Sequence, residues 1–274
     1  MKFKFLIIAF SVLIVVIILF MTLIPMVLSS VGAVLNFRHI ILPLIFFMVF
    51  LLAGMGAFFF YNYRLLFLLE REDWPALAYY LEQKIYTKGN YSNRNVRLLA
   101  SSYLVISDYS SVLKLESKTM LVKPVLVDRN LLLFGSARVL NGNYAEAAAF
   151  FKLHIDSGKL NINNDNWARL FFGFSLLLSG AFKLAQPEFE SLAVSSKNTL
   201  IIGLASYFLV NSVSRHSDNS AECLAAAESG RIRVTNKVIK HSGWKREVDK
   251  AGSDIHIAII KKYVNETGQW LFPG

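Results

Sequence analysis

The sequence has 274 residues, of which 54% are hydrophobic and 18% charged, with a formal net charge of +10. Soluble domains carry about 25% charged residues, and disordered chains combine low hydrophobicity with high charge, so the composition excludes both an ordinary soluble domain and a disordered chain. The single cysteine, Cys223, excludes an internal disulfide and a cysteine-rich metal site.

Two long apolar segments open the chain. Residues 5–28 and residues 40–63 each run for 24 residues without a charged side chain. A helix of that length rises about 36 Å, which exceeds the ~30 Å hydrocarbon core of a bilayer. The sequence therefore predicts an N-terminal hairpin of two transmembrane helices. The alternative for the first segment is a cleaved signal peptide, although its apolar run exceeds the usual ~7–15 residues.

The distribution of charge around these segments predicts an orientation. Two lysines precede the first segment, Arg64 and Arg71 follow the second, and the connection holds only Arg38. Because basic residues remain on the cytoplasmic side, we expect the protein in the inner (plasma) membrane with its soluble part in the cytoplasm. A periplasmic soluble part is the alternative.

Residues 64–230 have helical apolar spacing and contain an internal repeat. The motif Gly-x-aromatic-x-x-Ala-x-x-x-Phe begins at Gly142 and again at Gly180, with Phe-Gly seven residues before each copy. Its aromatic position recurs at Trp74, Tyr109, Tyr144 and Phe182. We expect stacked helical hairpins, in which small residues allow close packing and each aromatic residue follows a turn. The alternative is a helical bundle with accidental spacing.

This pattern resembles the tetratricopeptide (TPR) repeat, a helix-turn-helix unit of about 34 residues. Departures are Arg138 and Leu176, where a tyrosine is usual, and Glu116, where an aromatic residue is usual. The resemblance implies an all-α solenoid, with the extra residues of one unit between Ser157 and Asn166. Its units are expected near residues 58–90, 93–126, 128–161, 166–199 and, in degenerate form, 200–230. The layout of a hairpin anchor followed by such repeats is similar to the HemY family of bacterial inner-membrane proteins.

The C-terminal segment, residues 231–274, is the basic part of the chain. It holds 9 basic and 4 acidic residues, whereas residues 61–230 hold 17 and 15. We expect it to cap the repeats and to present a patch for anionic lipid or a partner, formed by Arg231, Arg233, Lys237, Lys240, Lys245 and Arg246. The alternative is a solvated helix face. Nucleic-acid binding is not expected, because no recognition motif is present.

The search for catalytic motifs gives none of the nucleotide-binding, metalloprotease or hydrolase signatures. His154 and Asp156 lie close in sequence, but a metal site needs three or four converging groups, so we interpret His154 as an interhelical packing residue. Cys223 lies among alanines and is interpreted as a small buried residue. We therefore expect no catalytic residues, no metal and no cofactor.

The TPR resemblance implies that the first helices of the hairpins line a groove for a protein partner. The predicted groove residues are Arg94, Arg97, Arg129, Trp167 and Phe174. In the alternative, the apolar part of the groove is covered by the C-terminal helix, because large exposed apolar patches are rare without a partner.

These observations predict a membrane-anchored, TPR-like scaffold that assembles other proteins into an envelope complex. One alternative is a periplasm-facing structural component of a large machine, such as a flagellar-motor collar or a secretion apparatus. Another is a non-catalytic assembly factor in envelope biogenesis. Neither the partner nor the oligomeric state follows from the sequence.

Overall fold

The computed structural model describes residues 37–252 and 255–273, together with residues 11, 12, 14–16 and 19. The chain divides into two compact units, residues 1–80 and residues 81–274. All regular structure in the described residues is helical, as predicted. The predicted first membrane span, residues 5–28, lies largely outside the described residues.

The first unit contains helix α1 (Phe37–Glu70) and most of helix α2 (Trp74–Glu82). Within α1, the 25 residues Phe46–Glu70 are long and apolar enough to cross a membrane, with a mean hydropathy of 1.6 and none of that apolar window buried. The helix continues past residue 63, where the predicted second span ends. Tyr61 and Tyr63 are exposed near the end of the apolar run, a position where aromatic side chains meet the membrane interface.

The second unit consists of helices joined by short segments. A five-residue π-helical turn, Gln83–Thr87, follows α2. The helices that follow are α3 (Asn93–Val105), α4 (Tyr109–Val122), α5 (Val125–Arg129), α6 (Leu131–Leu140), α7 (Tyr144–Asp156), α8 (Ile162–Leu178), α9 (Phe182–Ser195), α10 (Thr199–Phe208, extended by a π-helical turn Leu209–Val213), α11 (Ser220–Lys237), α12 (His241–Ala251), α13 (Ile255–Ile259) and α14 (Lys261–Leu271).

These helices form successive hairpins. The pairs are α3 with α4, α5–α6 with α7, α8 with α9, and α10 with α11. Each first helix contacts the first helix of the next hairpin, in the order α3, α6, α8, α10. Each second helix also contacts the following first helix, as α4 contacts α6 and α7 contacts α8.

The same turn occurs at four places and precedes the second helix of each of the first four predicted units. Its left-handed residue is Glu72, Ser107, Gly142 or Gly180, with φ of 54°, 60°, 79° and 79° respectively. In each case the next residue donates its backbone N–H to the carbonyl five positions earlier, an arrangement that ends a helix by pairing its last carbonyls. The four predicted aromatic residues are each the first residue of a helix.

Two glycines allow the two helices of a hairpin to pack closely. A Cβ at Gly135 on α6 would overlap the ring of Phe151 on α7, and a Cβ at Gly173 on α8 would overlap the ring of Phe189 on α9. Both phenylalanines are fully buried. The Phe-Gly element of the motif therefore acts as predicted, by letting an aromatic ring from the second helix lie against the backbone of the first.

The hairpins differ where they are joined. The segment between α4 and α5 has two residues, Lys123–Pro124, whereas the segment between α7 and α8 has five, Ser157–Asn161. Tyr144 and Phe182 lie 38 residues apart, three more than Tyr109 and Tyr144. The longer segment between α7 and α8 accounts for these three residues, and it lies within the predicted stretch, residues 157–166. In addition, Asn130 separates α5 from α6, and its side-chain amide donates to the carbonyl of Leu126 over 2.8 Å.

The predicted boundary of the C-terminal segment at residue 231 is wrong for its first seven residues. Residues 231–237 continue helix α11, the second helix of the fourth hairpin, and only α12, α13 and α14 follow it. Gly230 lets this helix pack closely on α10, since a Cβ there would overlap the Ser206 hydroxyl.

Candidate interaction surfaces

The basic part of the predicted groove is exposed. Arg94 and Arg97 lie on α3, and Arg129 ends α5. The side-chain amide of Asn130 donates to the side-chain oxygen of Asn93 over 2.9 Å. This bond holds the beginning of α3 against the junction of α5 and α6. Arg94 follows Asn93 in the sequence, and Arg129 precedes Asn130.

The apolar part of the predicted groove is covered by the chain itself. Trp167 is 8% exposed and Phe174 is 4% exposed. His256 on α13 lies against the Trp167 ring at 4.9 Å between ring centroids, and Tyr263 on α14 lies against the Phe174 ring at 5.2 Å. Trp167 and Phe174 are therefore core residues and not partner-binding residues. The structure has the alternative arrangement, in which the C-terminal helices cover the apolar part of the predicted groove.

Trp244 holds the covering helices on α10. Its ring is 2% exposed, and its indole N–H donates to the carbonyl of Val264 on α14 over 3.2 Å. A Cβ at Gly203 or Gly268 would overlap this ring, so both glycines admit it. The Tyr207 hydroxyl donates to the Glu266 carboxylate over 2.9 Å, which ties α10 to α14 at a second point.

The six residues of the predicted basic patch fall into three groups. The guanidinium of Arg233 donates to the carbonyls of Ala193 and Ser196 over 2.5 and 2.7 Å, and the Lys237 ammonium donates to the Lys197 carbonyl over 3.3 Å. These side chains cap the end of α9, where backbone carbonyls lack helical partners.

Arg231 contacts a different neighbour, since its guanidinium lies 5.5 Å from the centre of the Trp270 ring on α14. Lys240, Lys245 and Arg246 are exposed.

An ion pair that the sequence analysis missed links α4 to α6. Arg138 donates to both carboxylate oxygens of Glu116, over 2.6 and 3.0 Å, and its guanidinium lies 4.2 Å from the centre of the Phe150 ring. The two side chains are only 16% and 12% exposed. Both positions depart from the TPR consensus, and their opposite charges were the signal that they compensate for each other.

The buried Tyr103 on α3 neighbours the half-buried Tyr86 of the π-helical turn. The Tyr103 hydroxyl donates to the Glu82 carboxylate over 2.5 Å. Burial, followed by this bond, raises the pKa of Tyr103, and burial raises the pKa of neighbouring Tyr86 to about 12. Both hydroxyls therefore remain protonated at neutral pH, and the bond from Tyr103 to Glu82 joins α3 to the end of α2.

The two residues that suggested chemistry are buried in packing roles. The Nδ1–H of His154 donates to the Phe150 carbonyl over 2.9 Å, and its Nε2 lies 3.6 Å from Asp128. Its partner is therefore Asp128 and not Asp156. Cys223 is fully buried, and burial raises the pKa of its thiol. Within the described ranges, no three His, Cys, Asp or Glu side chains are grouped so as to hold a metal ion.

Comparison with known proteins gives two matches. A family model described as "Uncharacterised Treponema protein" matches residues 111–273, more than half of the chain. A protein of Treponema pallidum (strain Nichols), described as an uncharacterized protein, is 26% identical over 238 residues, which cover 84% of this chain and 75% of the relative. No solved structure matches the chain.

Proposed function

This chain belongs to the family of uncharacterised Treponema proteins, and we propose that it is a membrane-anchored, TPR-like scaffold. In this proposal it binds other proteins and supports the assembly of a cell-envelope complex. It supplies no catalytic residue. The anchor is a two-helix hairpin of which α1 is the second helix, and the hairpins of the second unit form an α-solenoid.

The observation that carries the proposal is the repeated hairpin with an exposed basic surface. Four turns of one geometry and alternating contacts between first and second helices are what a TPR-like stack requires. Arg94, Arg97 and Arg129 occupy the part of the first-helix row that α13 and α14 leave exposed. Arginine is enriched where interfaces concentrate their binding energy, and three guanidinium groups favour an acidic segment of a partner.

Cross-linking of the full-length protein in native membranes, followed by mass spectrometry, tests the scaffold. We expect cross-links from α3 and α5 to one or a few envelope proteins. Replacement of Arg94, Arg97 and Arg129 by glutamate is expected to reduce them about tenfold or more. Arg215→Glu, which reverses an exposed charge in the turn before α11, is the matched control. Unchanged cross-links in the triple variant would show that this surface binds no partner.

The proposed orientation, with the second unit in the cytoplasm, needs a separate test. If a reporter joined after Gly274 were active only in the periplasm, the proposed orientation would be wrong. That result would favour a structural component of a periplasmic machine. Arg94, Arg97 and Arg129 would keep their proposed role on either side of the membrane, because their exposure does not depend on the compartment.

A further inference from the structure

The hairpin stack of the second unit has two ends that differ in composition. The turns within hairpins lie at one end, and we call it the turn end: residues 106–108, 141–143, 179–181 and 214–219. The segments that join hairpins lie at the other, the connecting end: residues 88–92, 123–124, 157–161, 196–198 and 238–240. Bonds such as Asn93–Asn130 and those from Arg233 and Lys237 to the end of α9 join neighbouring parts of the connecting end.

Charge separates the two ends. Each of the five connecting segments contains one exposed lysine and no acidic residue; these are Lys88, Lys123, Lys159, Lys197 and Lys240. None of these ammonium groups forms an ion pair with a described residue. The turn end has no lysine, and its charged residues are Asp108, Arg215 and Asp218.

Exposed apolar side chains accompany the lysines. They lie within four residues of a connecting segment, and the most exposed are Leu121 (87%), Ile239 (82%), Ile162 (79%), Leu153 (67%), Val122 (60%) and Val194 (57%). At the turn end, Val105, Ile106 and Leu140 are each less than half exposed, and Leu184 at 65% is the exception. Four of the five connecting segments therefore present a lysine with an exposed branched apolar side chain near it, and the segment 88–92 presents a lysine alone.

We propose that the connecting end docks on the anionic headgroup surface of the membrane that holds α1. This inference rests on the membrane anchoring proposed above. Lysines beside partly inserted apolar side chains are the composition by which a protein surface lies on a bilayer interface. Each lysine near an anionic membrane contributes about 1 kcal/mol of attraction, equivalent to about a fivefold change in the ratio of docked to undocked protein.

The spacing and the apolar residues favour a bilayer over other anions. Contacting helices lie about 8–10 Å apart, so lysines of successive segments meet separate headgroups and do not converge on one phosphate. Nucleic acid would satisfy the charges but would leave Leu121, Ile162 and Ile239 in water. Asp156, which ends α7, is a carboxylate that directly adjoins a connecting segment, and it lowers the positive charge there without removing it.

Depth-dependent quenching tests the docking in the full-length protein. Single cysteines replace Leu121, Ile162 or Ile239 in a Cys223→Ala background, and Leu184→Cys, at a position that is also well exposed, supplies the control at the turn end. Each is labelled with an environment-sensitive fluorophore in vesicles of phosphatidylcholine with phosphatidylglycerol. We expect lipid-borne nitroxides to quench the three connecting-end labels and iodide to quench the Leu184→Cys label. Equal lipid quenching at both ends, or none at either, would overturn the proposal.

A charge variant and a second lipid composition separate lipid docking from other causes. Lys159→Ala is expected to lower the docked-to-undocked ratio about fivefold, and Arg215→Ala is expected to leave it unchanged. Vesicles of phosphatidylcholine alone are expected to lose the lipid quenching. Persistence of the quenching there, or protection of the labels in lipid-free detergent by a second copy of the chain, would contradict docking on anionic lipid.

Resistance of the protein to alkaline extraction is measured in parallel. Loss of quenching in a protein that resists extraction refutes the docking alone. Extraction of the protein from the vesicles refutes the anchor.

Discussion

The two halves of the first-helix row differ in what covers them. The half built from α8 and α10 carries Trp167, Phe174 and Phe208, and α13 and α14 cover it. The half built from α3 and α5 carries arginines and stays exposed. Exposed apolar surface costs about 25 cal/mol per Å², so an aromatic row needs its own cover whereas a guanidinium row remains hydrated. Side-chain chemistry therefore accounts for which part of the first-helix row is covered and which part is exposed.

The largest expected effect removes the cover. Trp244→Ala is expected to lower the free energy of unfolding by about 3–5 kcal/mol, because it empties a fully buried site. Arg129→Ala in the exposed half is expected to change it by no more than about 0.5 kcal/mol. Urea unfolding of the full-length protein in detergent, followed by far-UV circular dichroism, measures both. Similar losses of unfolding free energy in the two variants would contradict the expected difference between the halves.

The ion pair beside the basic half gives the next effect. Arg138→Met leaves the Glu116 carboxylate with little water and no cation, and we expect a loss of about 3 kcal/mol, the lower part of the range for broken buried pairs. Adding Glu116→Leu is expected to restore most of this loss, because no charge then remains buried. Urea unfolding of the single and double variants forms a double-mutant cycle. Additive losses would mean that the two residues do not act as a pair.

The smallest effect is confined to alkaline pH. Burial, followed by the bond to Glu266, raises the pKa of Tyr207 in the covered half from 10.0 to about 12. The unfolded chain therefore releases this proton first, so its contribution to stability is complete below pH 10 and is lost as the pH rises from 10 to 12. Tyr86, in the π-helical turn after α2, behaves alike.

Tyr207→Phe is expected to flatten this part of the stability profile, and unfolding midpoints measured from pH 9 to pH 12 check it. An unchanged slope would show that the pKa of Tyr207 is not raised.

Local signals predicted the hairpins well. Gly142 and Gly180 adopt the left-handed conformation that ends a helix, and the aromatic residues two positions later begin the next one. These features depend on a few neighbouring residues, which the repeat displays in the sequence. Ser107 and Glu72 adopt the same conformation without glycine, so the repeat offset, and not residue type, identified those turns.

Long-range packing was beyond the sequence pattern. The helices α12–α14 have no counterpart in the repeat, so nothing in their spacing showed that His256 and Tyr263 would cover Trp167 and Phe174. The sequence offered that cover only as an alternative to an open groove. Likewise Arg138 and Glu116 were noticed as separate departures, because pairing them requires knowing that α4 packs on α6.

The unequal joining segments have a consequence for how such chains change during evolution. A turn with one left-handed residue tolerates no added residue without rotating the helix that follows it. By contrast, connecting segments of two and of five residues are both followed by a first helix that packs on the neighbouring helices in the same way. Insertions and deletions among relatives are therefore expected to collect in the joining segments, and a gap placed within a turn would indicate an alignment error.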